Sequence, residues 1–204
     1  MFDSLIVQFV VLWAVIDPIG SVPVYLAKTI GLSVEDRRKI AAKAVLIASG
    51  ILVFFLIAGQ FLLEAMQIPL SAFQIAGGLV LFLFALTMIF GESKPEQEIR
   101  LSSSLSELAV YPLAVPSIAS PGAMMAVVLL TDNHRVSFTD QFITTLIMFA
   151  VLFITYLLFI AANQIQRWIG NTGAAIVSRV MGLILAAVAV NNVLVGIKDF
   201  FVQL

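Results

Sequence analysis

Two short stretches that interrupt long apolar segments are the places where this chain could do chemistry. The first is Asp17-Pro18-Ile19-Gly20, followed by Ser21, and the second, about a hundred residues later, is Ser120-Pro121-Gly122. Proline lacks a backbone N–H and clashes with the carbonyl four residues before it, so each stretch predicts a helix break. A helix that restarts there presents N–H groups without partners and about half a positive charge. Each restart therefore suits a carboxylate or another anion.

Asp17 is the acid that lies well inside an apolar span. Placing an aspartate near the centre of a bilayer costs about 2.5–3.5 kcal/mol on insertion scales. Two compatible interpretations follow for Asp17. It could bind a cation, namely a substrate ammonium, a coupling Na⁺ or a transferred proton, or it could cap the second half of the broken helix. The same choice between binding and capping applies to Ser120.

The predicted solute site contains the polar, proline and glycine residues of both breaks: Asp17, Pro18, Gly20, Ser21, Ser120, Pro121 and Gly122. Three polar residues inside other spans, Thr87, Asn191 and Asn192, could line the path of a solute. Interhelical hydrogen bonding is the alternative for such residues. Asn191 and Asn192 favour the path because adjacent amides are unusual in a span, whereas we assign Gln74 to helix packing.

Composition identifies a polytopic membrane protein. The 204 residues are 61% hydrophobic and 11% charged, with a mean hydropathy of +1.10, whereas soluble domains are about 25% charged. The chain has no cysteine and no basic patch. We therefore expect no thiol chemistry, metal, cofactor or nucleic-acid partner, and a lipid bilayer as the surroundings. The N-terminus lacks the basic region of a signal peptide, so we expect the first span to be retained.

The apolar segments predict an all-α fold with six transmembrane helices. Their approximate bounds are 4–27, 40–63, 71–90, 105–130, 142–162 and 176–195. Pro18 and Pro121 occupy corresponding places, and Gly78-Leu79-Val80-Leu81 corresponds to Gly182-Leu183-Ile184-Leu185. We therefore predict two three-helix repeats, 1–91 and 105–204, joined by a polar cytoplasmic linker, 92–104. Because three spans are an odd number, the repeats must have inverted topology, with the first helix of each broken near the bilayer midplane.

The basic residues predict the orientation. Two of them, Arg135 and Lys198, fall on one side of the predicted topology, and the larger group on the other side is Lys28, Arg37, Arg38, Lys39, Lys43, Lys94, Arg100, Arg167 and Arg179. The positive-inside rule assigns the larger group to the cytoplasm. Both termini would then lie outside, or in the periplasm of a Gram-negative cell.

Four stretches resemble the MarC (UPF0056-type) family of bacterial and archaeal inner-membrane proteins. They are DPIGSVPVY from Asp17, IAGGLVLFLFALTMIFG from Ile75, YPLAVPSIASPGAMM from Tyr111 and SRVMGLILAAVAVNNVLVGI from Ser178. The resemblance implies a six-span membrane protein, and some members of the family are described as transporters of neutral amino acids such as alanine and glycine. Asp17, Pro18 and Gly20 match the first family signature, and Pro121 and Gly122 match the second. Ser120 stands where relatives often carry glycine, which adds a hydroxyl near the expected site.

The leading hypothesis is a secondary transporter of a small neutral solute, above all a neutral amino acid, driven by H⁺ or, second, by Na⁺. The chain has no Gly-rich phosphate loop, which favours an ion gradient over a nucleotide. The alternatives are an exporter of another small molecule and a structural or regulatory membrane subunit. An enzyme is disfavoured because no span offers a nucleophile–base pair. Small residues in the spans would also suit a homo-oligomer.

Overall fold

The computed structural model describes residues 2–29, 31–90, 108–132 and 136–202, and within these residues the chain is all helical with no strand. The helices are α1 (Phe2–Ile16), α2 (Pro18–Lys28), α3 (Val34–Ala65), α4 (Leu70–Phe90), α5 (Ala109–Ile118), α6 (Pro121–Leu130), α7 (Phe138–Ile160) and α8 (Ala162–Val202). The all-α prediction is confirmed. The predicted linker, 92–104, lies outside the described residues, as do Lys94, Arg100 and Arg135 of the orientation argument.

Five helical segments of the described chain are long and apolar enough to cross a membrane. They are Leu5–Lys28, Val34–Ala65, Ser71–Phe90, Phe138–Ile160 and Ala175–Phe201. The pair α5 and α6, bent by 53° at the junction, makes a sixth if it counts as one span. Five or six spans thus stand where the sequence predicts six.

Prolines explain the irregularity of α5. Tyr111 and Val115 take extended backbone angles (φ −131°, ψ 123° and φ −132°, ψ 127°), and each precedes a proline, Pro112 or Pro116. The ring of a proline disfavours helical angles at the residue before it. The segment that leads to the second break is therefore only partly regular.

The α1–α2 span lies at the centre of the bundle. More than half of its residues are buried, against a third or less in each of the other four spans. Val15 and Ile16 before the break, and Val22 and Val24 after it, are all almost fully buried. The polar residues of the first break are therefore enclosed by protein.

Helices α4 and α8 form a close antiparallel pair through glycines. A Cβ on Gly78 would lie 2.9 Å from the carbonyl oxygen of Ala189, and a Cβ on Gly182 would lie 3.1 Å from that of Ala85. Glycine permits this approach because it presents only backbone to the other helix. Gly78 precedes Ala85 on α4, whereas its partner Ala189 follows Gly182 on α8. The two helices therefore run in opposite directions.

The starts of α3 and α7 have the same cap. Ser33 Oγ accepts the backbone N–H of Asp36 at 3.1 Å and donates to its carboxylate at 2.7 Å. Ser137 and Asp140 make the same two contacts, at 3.2 Å and 2.6 Å. A serine that accepts the N–H three residues later is a stable helix start, and an acid in the first turn adds to it.

Candidate functional site at the two helix breaks

Asp17 forms the first break with its own backbone. Its φ of 48° and ψ of 65° lie in the left-handed region, which aspartate tolerates better than most residues other than glycine. Its N–H donates to Trp13 at 2.9 Å and so ends α1, while its carbonyl accepts from Ser21 at 3.1 Å and begins α2. Carboxylate Oδ1 accepts the N–H of Gly20 at 3.1 Å. The capping interpretation is confirmed, and the cation-binding interpretation stays a prediction.

The other carboxylate oxygen of Asp17 links the break to α8. Ser178 Oγ donates to Asp17 Oδ2 at 3.2 Å, and Asp17 is only 2% exposed. Gly20 is required at this point, because a Cβ there would overlap Asp17 Oδ2 and would lie 2.5 Å from Ser178 Oγ. Ser178 is thus part of the site, although the sequence analysis did not select it. Ser178 lies on the sixth predicted span, and nothing in the local sequence indicates that this span contacts the first break.

The second break uses a neutral cap. Ser120 has extended angles (φ −70°, ψ 156°) and its Oγ accepts the N–H of Ala123 at 3.0 Å. Pro121 follows as the first residue of α6, where the missing N–H costs nothing. A Cβ on Gly122 would lie 3.1 Å from Leu81 and 3.3 Å from Phe84 of α4. Gly122 therefore packs against apolar side chains of α4.

The two breaks contact each other through serine hydroxyls. Ser120 Oγ donates to the carbonyl of Val15 at 2.9 Å, and Ser117 Oγ donates to Ser21 Oγ at 2.9 Å. All three serines are fully buried. Val15 precedes Ser21 in the first segment, whereas its partner Ser120 follows Ser117 in the second. The two broken segments therefore cross in opposite directions.

The meeting point has a defined chemistry. It brings together one carboxylate, the hydroxyls of four serines (Ser21, Ser117, Ser120 and Ser178) and the carbonyl of Val15. These oxygens suit an ammonium, a proton or a hard cation such as Na⁺, because each of these three binds to oxygen acceptors. Within the described residues no three His, Cys, Asp or Glu side chains are grouped as metal ligands. Ser117 lies in the second break but was not selected as a site residue from the sequence.

The predicted path-lining residues lie elsewhere. Thr87 is exposed on the same face of α4 as Leu83 and Phe90, and its hydroxyl donates to the carbonyl of Phe84 at 2.7 Å. Asn191 is exposed on α8, and Asn192 is half-buried. The structure brings neither Thr87 nor Asn191 to the breaks, because both lie on outward faces of their helices. A path-lining role for the three residues stays a prediction.

Sequence comparison places this arrangement in a family. The model of the MarC family integral membrane proteins matches residues 2–201. The chain belongs to the MarC family. The UPF0056 membrane protein of Methanocaldococcus jannaschii is 34% identical over 197 residues, covering 95% of each chain. YvbG of Bacillus subtilis is 32% identical, covering 98% of this chain and 97% of its own, and YhcE of Escherichia coli is 31% identical, covering 95% and 91%. Both are UPF0056 membrane proteins. No solved structure matches the chain.

Membership of the MarC family confirms the resemblance drawn from the four sequence stretches, and with it an integral, multi-pass membrane protein. The match covers almost the whole chain, so both breaks and α8 fall within it. The names of these relatives describe membrane proteins and give no substrate. A function for the chain must therefore be argued from the site.

Proposed function

We propose that this MarC-family protein is a secondary transporter of a small neutral solute, above all a neutral amino acid such as alanine or glycine. One observation carries the proposal: two half-helix starts meet in opposite directions around the buried carboxylate of Asp17. A buried acid and two broken helices are costly in a bilayer, and anchoring alone requires neither. A solute site gives both a purpose.

A zwitterion suits the chemistry of this centre. Its ammonium would bind the Asp17 carboxylate, and its carboxylate would bind the N–H groups that begin α2 and α6 near Gly20 and Gly122. The polar groups now bond to one another, through the pairs Ser178–Asp17 and Ser117–Ser21. A bound solute would replace these hydrogen bonds. A neutral amino acid is small enough to do so while it keeps both of its charges satisfied.

Alternating access of two inverted repeats, 1–91 and 105–204, is the proposed mechanism. Three sets of matched features support it: the caps at Asp17 and Ser120, the caps at Ser33 and Ser137, and the glycine contacts of α4 and α8. Related segments that pack in antiparallel pairs are what an inverted duplication produces. We propose H⁺ at Asp17 as the first choice of coupling ion and Na⁺ as the second, with the basic loops cytoplasmic in an inner membrane.

Uptake into proteoliposomes tests the function. Labelled alanine and glycine are offered under an imposed pH gradient or Na⁺ gradient, with empty vesicles as the blank. The test variant is Asp17→Asn. Asparagine removes the charge, but it accepts the left-handed backbone angles of residue 17 and can still cap α2. The matched control is Asp140→Asn, since Asp140 is an exposed cap outside the site.

We expect saturable uptake by the wild type and by the Asp140→Asn variant, and loss of gradient dependence in the Asp17→Asn variant. Uptake that keeps its full gradient dependence without the charge would remove the coupling role from Asp17. Uptake no greater than in empty vesicles, with folded protein and under both gradients, would contradict the amino-acid proposal.

A further inference from the structure

Arg37, in the first turns of α3, fastens the far end of half-helix α2. Its Nε donates to Thr29 Oγ1 at 3.2 Å, and its carbonyl accepts the hydroxyl of Tyr25 at 2.8 Å. The guanidinium also lies 5.9 Å from the centre of the Tyr25 ring, within the range of a cation–π interaction.

The same arginine reaches the first residues of α8. Arg37 Nη2 donates to Asn163 Oδ1 at 3.3 Å, and the ring of Tyr25 stacks on Phe159 of α7 with centroids 4.6 Å apart. Removal of the guanidinium would therefore break the bond from α3 to Thr29 of α2 and the bond from α3 to Asn163 of α8 together, while the bond from the Tyr25 hydroxyl to the main-chain carbonyl of Arg37 would remain. We call this set of contacts, formed by Tyr25, Thr29, Arg37 and Asn163, the arginine latch.

Gln60, near the other end of α3, holds the far end of half-helix α6. Its Nε2 donates to Asp132 Oδ1 at 2.5 Å, and the two residues are 7% and 1% exposed. Asp132 follows Thr131, the residue that caps the end of α6. Close packing adds to the contact, because a Cβ on Gly59 would lie 2.5 Å from Val128 of α6. We call the Gln60–Asp132 pair the glutamine latch.

Both latches are carried by one continuous helix. Arg37 and Gln60 lie within the 32 residues of α3, and at 1.5 Å per residue their separation is about 35 Å. That distance is close to the thickness of a bilayer core. The two latches therefore stand at opposite faces, and any tilt of α3 moves its two ends in opposite senses.

We propose that Arg37 and Gln60 are reciprocal gating residues of this protein. Each half-helix is fixed at its start by a cap at the break and is held at its far end by a latch, so α2 closes one face and α6 closes the other. Opening of one latch tilts α3 and tightens the second. The inference rests on the proposed transport function, and it names the residues that alternate during transport.

Thiol accessibility measures the two gates separately from any solute. The chain has no cysteine, so a single introduced cysteine is the only thiol. The reporters are Val24→Cys on α2 and Val127→Cys on α6, which replace residues of 0% and 1% exposure. Each follows the proline that starts its half-helix, Pro18 or Pro121, by the same number of residues. A membrane-impermeant maleimide is applied to sealed vesicles of either orientation.

Arg37→Ala should raise labelling of the Val24→Cys reporter from the Arg37 face about tenfold, since the lost hydrogen bonds involve a charged donor. It should also lower labelling of the Val127→Cys reporter from the opposite face. Gln60→Leu should have the reverse effects on the two reporters. The matched controls are Arg38→Ala and Phe61→Ala, which change exposed neighbours on α3 and should leave both labelling rates at the level of the parent reporter.

Gel filtration identifies variants that fail to fold. If Arg37→Ala is one of them, Arg37→Lys replaces it, because lysine keeps the charge and loses the fork of the guanidinium. Labelling that is unchanged, or that rises equally from both faces, overturns the gating inference. Reciprocal labelling without solute flux supports the gates and contradicts the transporter. Solute flux without reciprocal labelling supports the transporter and contradicts the gates.

Discussion

The two breaks do the same structural task with different chemistry. At the first, one left-handed aspartate separates α1 from α2, and at the second, Ala119 and Ser120 separate α5 from α6. Both caps accept the N–H three residues later, at 3.1 Å and 3.0 Å. Only the first cap is an acidic side chain, and only the second junction bends by as much as 53°. Similar helix starts can therefore be built with or without a titratable group, and here the titratable group stands at one of them.

The largest difference between the breaks should appear at their glycines. Gly20→Ala should destabilise the protein by about 3 kcal/mol, because the new methyl group overlaps the Asp17 carboxylate and displaces Ser178. Gly122→Ala should cost less than about 1 kcal/mol, since it meets only the side chains of Leu81 and Phe84 and alanine favours a helix. Denaturant unfolding in detergent micelles measures both. Equal losses of stability would contradict this prediction and would mean that the backbone is packed equally closely at Gly20 and Gly122.

The caps should show the next largest difference. Asp17→Ala should be less stable than Asp17→Asn by about 2 kcal/mol, because both are neutral and only alanine loses the cap and strains the left-handed backbone. Ser120→Ala should lose about 1 kcal/mol relative to the wild type, since its backbone angles suit any residue. The same unfolding measurement compares them. If Ser120→Ala lost as much stability as separates Asp17→Ala from Asp17→Asn, the left-handed backbone at residue 17 would not be the cause of the larger loss there.

The smallest effect tests one of the two hydrogen bonds that join the breaks. Ser21→Ala and Ser117→Ala should each destabilise the protein, and their double-mutant cycle should give a coupling of about 0.6 kcal/mol, the magnitude usual for hydrogen bonds between membrane helices. Ser49→Ala combined with Ser117→Ala is the control, because Ser49 bonds to a carbonyl of its own helix. Additive losses for Ser21 and Ser117 would show that their hydroxyls do not interact energetically.

Local rules predict the breaks well. Proline, capping and glycine chemistry act over three or four residues, so Asp17, Ser120 and the starts of α2 and α6 follow from short stretches of sequence. Their meeting follows less directly, from the internal correspondence of the two halves. The residues that lie at the site but come from other elements, such as Ser178 on α8, give no local signal.

Helix faces are harder to predict in this chain. The sequence offers Thr87 and Asn191 as candidates to line a path, and the structure places both at exposed positions away from the breaks, so that role stays a prediction. Most positions of α4 are apolar, and so is every position of α8 from Val180 to Val190. In these stretches a period of 3.6 residues does not distinguish the lipid side from the protein side. Asp132 shows the converse, because it lies between the predicted spans 105–130 and 142–162 and is nevertheless only 1% exposed.

The left-handed backbone at Asp17 has a genetic consequence. Besides glycine, asparagine and aspartate are the residues that accept such angles readily, and their codons differ by a single base. One point mutation can therefore remove the charge from the first break while it leaves the helix start in place. Under the proposed function, a change from transport driven by an ion gradient to passive exchange would require a single nucleotide substitution at this codon.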